Sequence, residues 1–93
     1  MPSRLETAIR EAHGCDSEHI KSVPVVEKFE GKVVWDGTVE VFRLIGHPKA
    51  KRAYGWIYDD GQVSHCTTVL EIPPVDSPET AVKVAIASKA KSR

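Results

Sequence analysis

The chain has 93 residues, with thirteen basic side chains against thirteen acidic ones and a formal net charge of zero. That is one domain's worth of chain, near the lower end of the size at which a single apolar core suffices. An apolar fraction of 41% and a charged fraction of 28% exclude a disordered or collagen-like chain, and charge neutrality removes the whole-molecule field that draws proteins onto nucleic acid.

No apolar run approaches the roughly 18 residues of a membrane span, and the opening residues lack the succession of a signal peptide. The expected setting is therefore the cytoplasm, with no membrane partner. Cys15 and Cys66 are the only cysteines, too few for a disulfide scaffold and expected as free thiols in a reducing compartment.

Ser3 and Glu6 have the S-x-x-E spacing of a capping box. Leu5, Ala8, Ile9 and Ala12 then make one apolar stripe, with Arg4, Glu6, Arg10 and Glu11 on the wet side. Gly14 is placed to end this helix, and a charged His13 in its last turn suits the helix dipole. Residues 15–22 are polar and aperiodic and read as a loop. Pro24 restricts residues 23–26 to an edge strand or an extended lead-in.

Residues 32–35 and 38–45 are rich in β-branched and aromatic side chains, and Asp36-Gly37 between them predicts a hairpin turn. A second hairpin is predicted from residues 53–58 and 63–72 around Asp59-Asp60-Gly61-Gln62. Pro73-Pro74 ends the last strand near Ile72. Ser77, Pro78 and Glu79 then read as N-cap, N1 and N2 of a closing helix. That helix carries Ala81, Ala85, Ala87 and Ala90 among Val82, Val84 and Ile86, with Lys89, Lys91 and Arg93 at its cationic end. The fold class is α+β in the order α-β-β-β(-β)-α: an antiparallel meander of three or four strands, both helices packed on one face and the other face open.

The most concentrated surface chemistry lies in residues 46–58. A loop bearing His47, Lys49, Lys51 and Arg52, shaped by Gly46 and Pro48, leads into a strand that puts Tyr54, Trp56 and Tyr58 on one face. The rings suit the core beneath an alanine-rich helix. Exposed, they would form a platform for stacked bases, with the cations and His47 on phosphates. His47, held in extended backbone before Pro48, is favoured as a turn cap.

Other chemistry is thinner. His13, Cys15, His19, His65 and Cys66 are nitrogen and sulfur donors of the kind zinc takes, but their spacing matches no C-x-x-C or H-x-x-x-H pattern. Adjacent His65 and Cys66 point to opposite faces of a strand, which also separates the groups of Ser64-His65-Cys66. Asp59 and Asp60 are what a turn requires. Neither a metal, a cofactor nor a catalytic residue is expected.

The element order resembles the double-stranded RNA-binding domain in topology. At the start of its second helix that family carries a basic run; here the place reads Ser77-Pro78-Glu79-Thr80-Ala81, with the first lysine at Lys83, so the resemblance implies a fold and not duplex binding. Gly46-His47-Pro48, Ala50-Lys51-Arg52-Ala53-Tyr54 and Pro73-Pro74-Val75-Asp76-Ser77-Pro78 resemble a family of small bacterial proteins of unassigned function. That resemblance spans residues 32–90 and implies a bacterial cytoplasmic protein without supplying an activity.

The expected function is a small non-enzymatic domain acting through protein contacts, as a homodimer through its open sheet face. The alternative is single-stranded nucleic-acid or anionic-ligand binding through residues 46–52 and the Tyr54, Trp56 and Tyr58 face.

Overall fold

A computed structural model of the chain describes residues 3–59 and 61–91. The side chains of Ser3, Asp59, Lys89, Ala90 and Lys91, and all of Asp60 and Arg93, lie outside what it describes, and with them the Ser3 cap, the paired acids and the terminal cations. The order is α1 (Ser3–His13), β1 (Asp16–Phe29), β2 (Lys32–Ile45), β3 (Arg52–Asp59), β4 (Ser64–Leu70) and α2 (Pro78–Lys91). The strands form one open antiparallel sheet in chain order, β1-β2-β3-β4. Among the described residues no helix is long and apolar enough to cross a membrane.

The first hairpin differs from its sequence expectation. Residues 16–22, read as a loop, belong to β1, which pairs with β2 from Asp16–Ile45 to Phe29–Lys32. The turn is Glu30-Gly31, both at positive φ (53° and 80°), as a two-residue turn matched to strand twist requires. Asp36-Gly37 instead runs through the middle of β2, opposite Val26 and Val25. Gly37 is there for space: the Trp35 indole lies across it, with Cη2 3.1 Å from where a Cβ would stand.

Pro24 is accommodated by register. The Leu44 N–H donates to the Lys51 carbonyl at 2.8 Å, so even-numbered residues of β2 in this stretch turn their backbone toward β3 and odd-numbered ones toward β1. Pro24, opposite Thr38, therefore occupies an edge position where an N–H would point away from the sheet, and its absence breaks no ladder bond.

The helices take opposite faces of the sheet, not one. Along β3, Tyr54 and Trp56 join Val25, Val39, Val41, Val75, Ala81 and Val82 beneath α2, while Ala53 joins Leu5, Ile9, Phe42, Leu44 and Ala50 beneath α1. A Cβ on Gly55 would meet Leu5 Cδ2 at 3.2 Å, which places α1 directly over that glycine. The cause is the side-chain alternation of β3 itself. Residues 53 and 55 are small enough for the Leu5–Ile9 stripe of α1 to sit close, whereas residues 54 and 56 are large rings that suit the small side chains of α2. The wholly open face expected from a one-sided arrangement is therefore absent.

The helix ends follow the predicted chemistry. Gly14 (φ 71°) closes α1 with its N–H on the Arg10 carbonyl at 2.8 Å. Ser77 caps α2, its Oγ accepting the Thr80 N–H at 3.2 Å, and the Ser77 N–H returns to Thr80 Oγ1 at 2.9 Å. Ala12, placed on the apolar stripe by spacing, is exposed.

Candidate functional site

The seven residues singled out by sequence divide into two environments. Gly46, at φ 85°, turns the chain out of β2, and His47 then closes the loop. Its Nδ1 accepts the backbone N–H of Lys49 at 3.1 Å and of Ala50 at 3.0 Å. The ring proton must therefore sit on Nε2. This clamp carries the buried Ala50 into the α1 cluster and leaves Lys49, Lys51 and Arg52 on the surface.

The rings lie elsewhere. Tyr54 and Trp56 are 2% and 4% exposed beneath α2, so they are part of the core. The Tyr54 hydroxyl donates to Glu71 Oε2 at 2.5 Å; burial, and then that bond to a carboxylate, push its pKa well above the ordinary phenol value. Tyr58 is half-buried and stacks on His65, centroids 5.0 Å apart at 25°. Cations and rings thus do not share one surface.

The histidine and cysteine candidates are likewise dispersed. His13 Nε2 bonds Thr68 Oγ1 at 3.0 Å, and burial, with His47 nearby, lowers its pKa. His19 meets Glu40 at 2.7 Å, and the same carboxylate oxygen accepts the Ser22 hydroxyl. Cys66 packs toward the α1 cluster and His65 toward Tyr58, the opposite-face placement that adjacent strand positions dictate. Both thiols are free. Among the described residues no three His, Cys, Asp or Glu side chains are placed to hold a metal ion.

What brings groups together is a cleft that the sequence does not announce. The β2–β3 ladder runs only from Arg43–Arg52 to Glu40–Gly55, although β2 continues to Lys32 and β3 to Asp59. The two hairpins part beyond that point. By the alternation established above, the next ladder pair would be Thr38 and Ile57, and no such pair forms. Between the parted hairpins and α2 lies a cleft of about 710 Å³ lined by Trp35, Trp56, Tyr58, Val69, Val82 and Ile86, with Asp36 and Thr67 supplying polar groups. Trp35 reaches over to Trp56 edge-to-face, centroids 5.6 Å apart at 71°. A volume of this size, mostly apolar with few polar groups, is typical of a binding cleft.

Trp35 is the residue that sequence reasoning missed as part of a site. The available signal was Trp35-x-Gly37, a ring two positions from a glycine on the same strand face. No protein family, no curated protein and no solved structure matches the chain.

Proposed function

We propose that the chain is a non-enzymatic cytoplasmic domain that works through protein contact, holding an extended apolar segment of a protein in the cleft where its two hairpins part. One observation carries this reading: the β2–β3 ladder stops at Glu40–Gly55 beside an aromatic-lined cleft. A segment in strand conformation supplies both things such a place lacks, backbone partners for a strand edge and alternate side chains for apolar pockets. The two free thiols support a reducing compartment. His47 and His19 support the non-enzymatic part, since both are committed to bonds within the fold.

The test uses the protein's own reporters, because Trp35 and Trp56 are the only two tryptophans and both line the cleft. A displayed library of random peptides is selected against the protein, and synthetic copies of the winners are titrated while tryptophan emission is followed. Winners with alternating apolar residues that shift the emission, and that bind at least tenfold more weakly to Ala85→Arg, are expected. Enrichment of no sequence class, or binding that leaves both tryptophans unchanged, refutes the reading.

A further inference from the structure

We infer that the segment held in the cleft carries one uncharged amide side chain, asparagine or glutamine, whose carbonyl oxygen accepts a hydrogen bond from the indole N–H of Trp56. This rests on the reading of the cleft as a protein-binding site and names the residue by which the cleft selects among apolar segments.

The polar atom of Trp56 is left over by the fold. The residue is 4% exposed, yet its N–H has no hydrogen-bond partner among the described residues. Two positions earlier on the same strand face, the other buried donor, the Tyr54 hydroxyl, is satisfied internally by Glu71. Nor is the Trp56 N–H walled in. Among the described residues Ser17 Oγ is the one side-chain nitrogen or oxygen that is both sealed from solvent and unpartnered. The open space that Trp56 borders is the cleft, so its donor faces that space. An apolar segment filling the cleft would strip the N–H of water, and a buried donor without an acceptor costs the full desolvation of the group. Whatever fills the cleft must therefore bring an acceptor.

That acceptor is a side chain. Trp56 stands one residue past Gly55, the last residue of β3 paired with β2, beside the gap that the segment enters. A segment in strand conformation there keeps its backbone carbonyls in the plane of the sheet, whereas the Trp56 ring lies on the face beneath α2. The side chain is also uncharged. Among the described residues no lysine, arginine or histidine lines the cleft, and a carboxylate buried without a cation costs more than the bond it would gain. Lys83, between Val82 and Val84 on α2, reaches to Glu27 instead, 3.9 Å away.

A second polar group points to an amide. Thr67 lines the cleft, its hydroxyl likewise has no partner among the described residues, and it lies directly across from Trp56 in the β3–β4 register. The Glu71 N–H donates to the Arg52 carbonyl, so Arg52–Glu71 is a bonded pair, and by alternation Trp56–Thr67 is another, with Cα atoms about 5.5 Å apart. An indole N–H beside a hydroxyl oxygen matches the two ends of a planar amide, whose oxygen accepts from the first while its NH2 donates to the second. A thioether offers an acceptor only.

The experiment uses the full chain and the peptides selected on it. Each winner is synthesised as selected, and again with its amide residue replaced by leucine or by glutamate. All forms are titrated while tryptophan emission and the indole N–H resonances are followed, the latter assigned with Trp35→Phe. Asparagine or glutamine is expected at one fixed position on the same side as the apolar residues, and either replacement weakens binding by about tenfold or more. The Trp56 N–H resonance moves downfield with the amide peptide and not with its leucine form. Trp56→Phe, which lacks the donor, binds the amide and leucine forms equally.

Should Trp56→Phe not fold, the N–H resonance of the wild type decides. Leucine forms that bind as tightly as the selected peptides, winners without an amide at a fixed position, or a Trp56 N–H resonance that stays in place while the emission shifts overturn the amide assignment and leave the wider protein-contact reading standing. Enrichment of no peptide class overturns both, so the two failures are told apart.

Discussion

Gly55→Ala probes the two-sided architecture at its tightest point. The new methyl would stand 3.2 Å from Leu5 Cδ2 and 3.4 Å from the Thr67 carbonyl oxygen. Leu5 is 2% exposed and has little room to retreat, so overpacking costs about 1–3 kcal/mol. Against this, alanine loses less conformational freedom on folding, worth about 0.4–1 kcal/mol. The net expectation is a loss of about 1 kcal/mol in the wild type.

Leu5→Ala alone costs about 3 kcal/mol, the usual range for a buried leucine. It also empties the space that the methyl would enter. In that background Gly55→Ala gains about 0.8 kcal/mol from methyl burial in addition to the entropy term, so its sign reverses. A chain of 93 residues unfolds with roughly 5–14 kcal/mol, enough to keep all three variants measurable. With a urea slope of about 1 kcal/mol/M, each Gly55→Ala step moves the midpoint by about 1 M and Leu5→Ala by about 3 M. If Gly55→Ala destabilises both backgrounds equally, Leu5 is not over Gly55 and the placement of α1 is wrong.

Four further outcomes follow from named contacts. Because the His13 pKa is lowered in the fold, the unfolded chain binds the proton first as pH falls; stability should drop as pH falls through the ordinary histidine range, and urea midpoints for His13→Gln should lose that component of the slope. Tyr54 has its pKa raised, so its stabilising contribution should fade above the ordinary phenol range. Tyr54→Phe should lower stability by about 1–2 kcal/mol at neutral pH and remove the last-rising phenolate absorbance in an alkaline titration. His47→Ala should cost about 1 kcal/mol and speed hydrogen exchange at the Lys49 and Ala50 amides, with His47→Asn recovering part of both. Glu30→Asn, at φ 53°, should stabilise by about 0.5–1 kcal/mol because asparagine tolerates that conformation better, whereas Asp36→Asn should do nothing.

Order and class were legible because they rest on strong local signals. The Ser77 cap, the Gly14 stop and the Leu5 and Ile9 part of the α1 stripe each depend on interactions within a few residues, and each appears where the sequence places it. The first hairpin did not follow because two glycines compete for its turn. Asp36-Gly37 has the better turn composition, yet Gly37 is extended and leaves room for the Trp35 ring, while Gly31 takes the positive φ. A local rule cannot separate a glycine needed for conformation from one needed for space. The side of the sheet taken by each helix was misjudged for a related reason. Small and large residues alternate along β3, and that pattern shows that two different surfaces are wanted, but the tight contact of Leu5 with Gly55 is made across the fold.

That single turn also explains why the cleft was hidden. With the turn at Asp36-Gly37, Trp35 would stand at a hairpin end, remote from Trp56. With the turn at Glu30-Gly31, β2 lengthens, Trp35 moves inside the sheet, and its ring reaches Trp56. The same lengthening carries β1 and β2 beyond β3 and β4 and exposes Phe29 and Val33 at the new end. Cleft and protruding hairpin therefore have one cause, the displacement of the turn toward the N-terminus. A variant that moved the turn back would abolish both at once. Replacing Gly31 by valine, which resists φ of 80°, should therefore cost stability and shift the tryptophan emission from the cleft together.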